Sequence, residues 1–214
     1  MEFGRSFSYV FEDSDWFKKI AIMALVSLIP ILGQFVLMGW GAEIIRRVVR
    51  GQDTPIPELD FGAQLSDGFK LFVVSLVYSL PIIVISLVMG IVVGIASSVL
   101  DYDTANTVAM VSSICFGLLN VVLGILIAFL LPAAIANYAV KGTIGDGLRI
   151  GEVFGMVKNN LSAYLLVFVG MLAASFIASL GTIACGIGVL LTTVYANTII
   201  MHLYGQAYKK ATGI

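Results

Sequence analysis

The chain has little charge. Only 12% of its 214 residues are Asp, Glu, Lys or Arg, while 59% are hydrophobic and the mean hydropathy is +1.03. Soluble globular proteins carry about 25% charged residues. Too little polar surface is left to coat a particle in water, which excludes a secreted enzyme, a cytosolic dinucleotide-binding fold and a disordered regulator. Charge of one sign is not in excess either: twelve basic against thirteen acidic residues give no electrostatic reason to bind nucleic acid. Cysteine is nearly absent. Cys115 and Cys185 lie in separate apolar runs, so they build no disulfide framework and no CxxC site. His202 is the single histidine, and one imidazole supplies no multi-histidine metal centre. Also missing are a GxSxG elbow, an HExxH helix, a GxxxxGK[ST] loop and a pair of intramembrane aspartates. The sequence therefore predicts no catalytic residue, no metal and no cofactor, and a protein that is not an enzyme.

What the chain has is apolar length. Runs of about 20 apolar residues are needed to cross a bilayer as a helix. Residues 71–100 and 107–140 are free of charge and are separated by the short segment 101–106. Residues 161–208 form another charge-free run, long enough to cross twice, with a turn expected among the glycines of 181–188. The run 20–42 is interrupted by Pro30 and Gly33.

Lysine and arginine resist translocation, so their positions set sidedness. Arg5, Lys18 and Lys19 precede the first run; Arg46, Arg47, Arg50 and Lys70 follow it; Lys141, Arg149 and Lys158 separate the third and fourth spans; Lys209 and Lys210 close the chain. Segments 101–106 and 181–188 have no basic residue. The 46–70 and 141–160 loops and the C-terminus are thus expected in the cytoplasm. A single crossing by 20–42 would strand Arg5, Lys18 and Lys19 outside, and two crossings need about 40 residues. A shallow re-entrant hairpin hinged at residues 30–33 resolves the conflict if its bent backbone is buried in protein. The rival is a single proline-kinked span with an external N-terminus. A cleaved signal peptide fits worst, because the run is too long and four acids precede it.

The sequence also repeats itself. Lys19 is followed eleven residues later by Pro30, and Lys70 eleven residues later by Pro81. Short aromatic and acidic segments, 11–17, 65–69 and 152–158, precede three apolar runs, and Arg50-Gly51 and Lys141-Gly142 end two of them. The expected unit is an interfacial amphipathic helix, an apolar hairpin and a basic–glycine exit, in three copies at about 3–51, 61–142 and 150–208. Pro30, Gly33, Pro81 and Pro132 are the expected kinks. Residues 52–58 read as an extended proline connector. The predicted fold is a single all-α integral membrane domain over 1–214: four full spans, an N-terminal segment that re-enters, and interfacial helices.

Several motifs carry a resemblance. Trp16-Phe17-Lys18-Lys19, Leu28-Ile29-Pro30-Ile31-Leu32-Gly33, Arg50-Gly51 followed by Pro55-Ile56-Pro57-Glu58, and His202-Leu203-Tyr204-Gly205-Gln206 resemble domain-of-unknown-function family 4013. The resemblance covers nearly the whole chain. It implies a polytopic protein of a prokaryotic cell membrane and brings no chemistry with it.

Candidate functional groups are few. Glu43 stands a turn before Arg46 and Arg47, a spacing that predicts an intrahelical ion pair. Thr192, Tyr195, Thr198, His202 and Gln206 recur at helical spacing and place five polar groups on one face of the last span. Lipid satisfies none of them, so the face must meet another helix or water. Interhelical hydrogen bonding is the favoured reading, and a polar path for a small solute is the alternative. Asn197 lies off that face, and Asn120 and Asn137 sit on the third span. Gly90, Gly94 and Ser98, like Gly170, Ala174 and Ala178, form small-residue seams suited to packing inside the bundle or against a second copy. Trp16, Phe17, Phe61, Phe69, Phe154 and Met156 suit helices in the headgroup region. Membrane lipids are the expected partners. The function predicted is a non-catalytic scaffold or a lipid-organising protein, with a small-solute channel or carrier as the alternative.

Overall fold

The computed structural model describes residues 1–52 and 56–214, with side chains for all of these except 184–187. Among the described residues the fold is all-helical, without a strand. The elements in order are α1 (Arg5–Ser8), a 3₁₀ turn (Tyr9–Glu12), α2 (Trp16–Ser27), α3 (Leu32–Arg50), α4 (Phe61–Val99), α5 (Tyr102–Lys141), α6 (Ile144–Gly147), α7 (Ile150–Asn159), α8 (Leu161–Leu180), a second 3₁₀ turn (Gly181–Ala184) and α9 (Cys185–Thr212). Among the described residues three stretches are long and apolar enough to cross a membrane: α4, α5 and Leu161–Ile183. Residues 53–55 of the expected connector, and the side chains of 184–187 in the glycine-rich turn, lie outside the described residues.

The first apolar run folds back on itself. α2 stops at Ser27, and Pro30 cannot continue it because its nitrogen has no hydrogen to give. The reversal is a γ-turn: Leu32 N–H donates to the Pro30 carbonyl at 2.7 Å across Ile31, whose φ is 66° and ψ −60°. A β-branched residue at positive φ is strained. Gly33 follows because a Cβ there would stand 2.2 Å from the Val26 carbonyl. Polar groups at the turn find partners, with Ser27 Oγ donating to Ala24 O and Gln34 Nε2 to Ser27 O. At the other end, Lys19 Nζ from α2 and Arg47 Nη1 from α3 donate to the same acceptor, Ile56 O, at 3.2 and 3.3 Å. Both arms of the hairpin therefore end where they began.

Met1–Ser75 with Phe129–Ile214 forms one compact unit. Its core centres on Trp40, buried among Tyr9, Ile20, Met23, Val36, Ile44 and Val194, with the indole N–H donating to Pro57 O at 3.0 Å. Glycine lets backbones touch. A Cβ on Gly39 would lie 1.8 Å from Gln64 O, and one on Gly68 would lie 1.7 Å from Phe35 O, so α3 and the first turns of α4 have no room for side chains between them. Gly170 on α8 instead makes room for the Leu203 side chain of α9, and Ala174 one turn on is fully buried, so this part of the small-residue seam is packed.

Arg46 ties three elements together. Nη1 donates to Glu43 at 3.0 Å, Nη2 to Asp67 on α4 at 2.6 Å, and Nε to the Ala139 carbonyl on α5 at 2.7 Å. Tyr138 O–H donates to the other Asp67 oxygen at 3.1 Å. The Glu43–Arg46 pair is thus the intrahelical edge of a larger node, and Arg47 Nε adds a 3.6 Å pair to Glu43.

Leu76–Ala128 is the second unit, formed by the adjoining parts of α4 and α5. Asp101 caps α5, its carboxylate taking Thr104 N–H at 2.9 Å and Thr104 O–H at 2.8 Å, so residues 102–106 are helix rather than loop. Asn120 Nδ2 reaches Ser86 Oγ across the pair at 3.5 Å. Gly90 and Gly94 face open space, so this seam does not pack inside the unit.

The prolines differ in setting: Pro81 and Pro132 sit inside α4 and α5, which run on through them, whereas Pro30 lies between α2 and α3. A proline within a long helix loses one hydrogen bond while its neighbours hold the helical path; at Pro30 a positive-φ residue follows and the path ends. Of the three expected interfacial helices only α7 is a separate one, since 65–69 belongs to α4. On α7, Phe154 is exposed, but Met156 is buried with Val153 and Val157 on the apolar stripe that packs inward. The basic–glycine exits are helix caps: Gly51 (φ 64°) and Gly142 (φ 92°) follow α3 and α5 in the left-handed region, each after a basic residue that suits the negative end of the helix dipole.

Two substitutions test this packing. Gly68→Ala is expected to destabilise the protein by about 2 kcal/mol, as overpacking against a backbone carbonyl does. Ile31→Gly is expected to raise stability by about 1 kcal/mol by relieving the turn. Thermal unfolding in detergent, followed by Trp16 and Trp40 fluorescence, reads both.

Candidate functional site: the polar face of α9 and the N-terminal segment

The N-terminal residues lie along α9 and run opposite to it. Glu2 N–H donates to Gln206 Oε1 at 2.7 Å, and Gln206 Nε2 returns a bond to Glu2 O at 3.2 Å. Four residues on, Ser6 Oγ is 2.9 Å from His202 Nδ1. Three further, Tyr9 O–H donates to Thr198 O at 3.0 Å while its ring stacks on the His202 imidazole at 4.0 Å. Tyr195 O–H donates to Phe7 O at 2.5 Å. Gln206 Nε2 also stands 3.2 Å from His202 Nδ1, so both neighbours converge on one ring nitrogen; with the Gln206 amide able only to donate, that nitrogen accepts.

The five sequence-predicted residues do share a face, with different partners. Tyr195, His202 and Gln206 hold the N-terminal segment. Thr198 Oγ1 donates to Tyr195 O within α9 at 2.6 Å and offers only its carbonyl to Tyr9. Thr192 Oγ1 reaches Ala178 O of α8 at 3.0 Å and Gly188 O at 2.9 Å, closing the α8–α9 turn. Asn137 Nδ2 donates to Asp146 O at 2.8 Å and its carbonyl receives Tyr208 O–H at 3.4 Å. Asn197 Nδ2 and the Tyr164 hydroxyl are buried without a partner among the described residues. Sequence reasoning missed the N-terminal half of this site. Its signal was available: Glu2, Ser6 and Tyr9 stand four and three residues apart, a helical spacing like the four and four of Gln206, His202 and Thr198.

A charged girdle fixes the segment at both ends. Arg5 bridges Glu2 (3.3 Å) and Glu12 (3.1 Å), and the Arg5 bond holds the Glu12 carboxyl below its ordinary value. Past the 3₁₀ turn, Asp13 pairs with Lys19 at 2.8 Å and takes Asp15 N–H at 2.9 Å. Burial alone would raise the Asp13 carboxyl; the Lys19 ammonium and the Asp15 amide outweigh it, and the net displacement is downward. Among the described residues no group of three His, Cys, Asp or Glu side chains is placed to hold a metal ion.

A carboxyl depressed by folding stabilises above its unfolded value and loses that contribution as pH falls through the lower folded value. Thermal stability is therefore expected to drop between about pH 4 and pH 3, near the ordinary carboxylate range, with a smaller drop in Asp13→Asn. Tyr9→Ala, which empties a buried ring site, should cost about 3 kcal/mol; Tyr195→Phe should cost about 1 kcal/mol. Unfolding curves across pH and variants measure all three.

Comparison with curated proteins and with solved structures finds no match. Residues 22–187, from the middle of α2 to the start of α9, match the family described as protein of unknown function DUF4013. The match spans more than half of the chain, and the protein belongs to that family.

Proposed function

We propose that this protein is a non-catalytic scaffold of a prokaryotic cell membrane, one that organises lipid or assembles partners at the inner leaflet. The observation that carries this reading is the bonding of the α9 face. Tyr195, His202 and Gln206 bond the protein's own N-terminus and Thr192 bonds α8, so these groups already have protein partners, which supports packing over a solute path. Interhelical contacts of this kind are worth about 0.6 kcal/mol each in membranes, enough together to hold a segment and too little to imply more.

In the arrangement we propose, α8 and α9 cross as a pair and join α4 and α5 to make four full spans. The α2–α3 hairpin dips in and returns, and both termini are cytoplasmic. Three hairpins then begin and end on one side, as the distribution of basic residues requires. α4 and α5 are 39 and 40 residues long. That is roughly 58–60 Å at 1.5 Å per residue, against a hydrocarbon core of about 30 Å. Their charged ends, with Asp67, Lys70 and Lys141, stand in the headgroup region on this reading. Lipid covers the exposed leucines, isoleucines and valines of the 76–128 hairpin, and its open Gly90–Gly94 seam suits a second copy of the chain.

Two measurements test the reading. In a background with Cys115 and Cys185 replaced by serine, a cysteine at Ser8 should react with a membrane-impermeant maleimide only after cells are opened; labelling in intact cells would sink the re-entrant arrangement. Proteoliposomes should show no solute flux that differs between about pH 5.5 and pH 7.5, a window around the ordinary histidine value of about 6.5. A reproducible pH-gated flux lost in His202→Gln would replace the scaffold by a channel or carrier.

A further inference from the structure

A cavity of about 680 Å³ opens where the charge-free run of α9 ends, lined in part by Arg5, Glu12, Arg47, Gln206, Lys209 and Lys210. Its volume is in the range of small-ligand pockets, about 300–1,000 Å³. Glu2, Tyr9 and His202 also line it, so the lysine, arginine and carboxylate side chains number four basic and two acidic. The acids are already matched: both carboxylates bond the Arg5 guanidinium, at 3.3 Å from Glu2 and 3.1 Å from Glu12. Arg47 has Glu43 at 3.6 Å and the Ile56 carbonyl at 3.3 Å. Lys209 and Lys210 have no carboxylate partner among the described residues, although they are adjacent in sequence and repel one another. The cavity therefore carries excess positive charge, with amide groups of Gln206 and Gln52 at its wall and Val48 and Ile214 as apolar contacts.

We propose that this cavity binds a phosphate-bearing anion, with Lys209 and Lys210 supplying the charge, Arg47 at the wall beside its partner Glu43, and Arg5 held back by Glu2 and Glu12. Two ammonium groups and a guanidinium around one volume suit a phosphate better than a carboxylate, because its oxygens are shared among several donors at once. Lys209 is the first charge after residues 161–208, so the cavity is level with the end of an apolar run. A phosphate reaches that place on a lipid headgroup or from solution. The site does not depend on the scaffold reading; it stands equally in a transporter.

The test uses the purified full chain in a neutral maltoside detergent. The probes are dioctanoyl phosphatidylglycerol, glycerol 3-phosphate, and dioctanoyl phosphatidylcholine as the zwitterionic control, read by thermal shift and by native mass spectrometry. At least one anionic probe should raise the unfolding temperature and be retained, with phosphatidylcholine weaker by tenfold or more. Retention of phosphatidylglycerol alone assigns a lipid headgroup, and equal binding of glycerol 3-phosphate assigns a soluble phosphate. K209Q/K210Q should weaken binding at least tenfold, while K18Q/K158Q, whose lysines lie outside the cavity, should leave it unchanged. Glu12→Gln releases Arg5 and should tighten binding severalfold, which keeps the test decisive should the double variant fold poorly. No binding of either anion, equal binding by K209Q/K210Q with Glu12→Gln unchanged, or equal binding of phosphatidylcholine would overturn the proposal.

Discussion

A guanidinium near the end of an apolar helix sets the strictest demand in this molecule. Arg46 cannot lose its proton, and its side chain is only 18% exposed, so it must be met by acceptors supplied from elsewhere. Glu43 supplies one from α3, Asp67 one from α4 and the Ala139 carbonyl one from α5. The acceptors lie 3, 21 and 93 residues from Arg46, and the directionality of the five N–H donors fixes how the three elements meet. The glycine contacts lie beside the node and follow from it: bringing Asp67 to Arg46 brings the α4 backbone against α3 at Gly39 and Gly68. A larger residue at either position would push Asp67 away and leave a part-buried charge without its acceptor. Packing and electrostatics are here one constraint.

The N-terminal segment answers a related demand. A helix crossing or lining a bilayer with Tyr, Thr, His and Gln on one face has to satisfy them within the protein. This chain does so with its own first twelve residues, matching a polar stripe of period three to four by another that runs the opposite way. Tyr9 does two things: it caps the Thr198 carbonyl through its hydroxyl and covers the His202 ring with its face. The segment thereby joins Trp40's core, in which Tyr9 and Val10 are fully buried. What reads along the sequence as a suspicious polar face is, in three dimensions, a docking strip.

Much of the architecture was legible because bilayer physics writes it in composition. Absence of charge located α4, α5 and the α8–α9 run; Pro30 with Gly33 located the fold-back; Glu43 with Arg46 and Arg47 gave an ion pair at the right spacing. What stayed hidden were relations between distant positions. Asp67 looked like one more acid in a mixed segment, since nothing local says that Arg46 lies 2.6 Å away. Met156 carried the composition of a headgroup helix but faces inward, because α7 has an apolar stripe and only its other side, with Phe154, is free. Pro81 matched Pro30 in spacing from a lysine without matching it in effect. A proline ends a helix only when the residues after it also leave the helical region, as Ile31 does. The basic–glycine exits repeated for a reason more general than duplication: a left-handed glycine after a basic residue is how helices stop.

The same reasoning bears on what the 76–128 hairpin can be. Leu87, Val99, Leu118 and Val122 are each more than 60% exposed. In water such a surface would dominate the free energy of the chain and drive aggregation. In lipid it costs nothing, and the directed interactions of the hairpin include its cap at Asp101 and the Asn120–Ser86 contact. That contrast divides the molecule by kind of force. The 1–75 and 129–214 unit is held by directed bonds among charged and polar groups around Trp40 and Arg46. The hairpin instead turns apolar side chains outward, a surface suited to lipid. A chain built this way concentrates its chemical information in the unit that carries the charges, and any specific recognition belongs there.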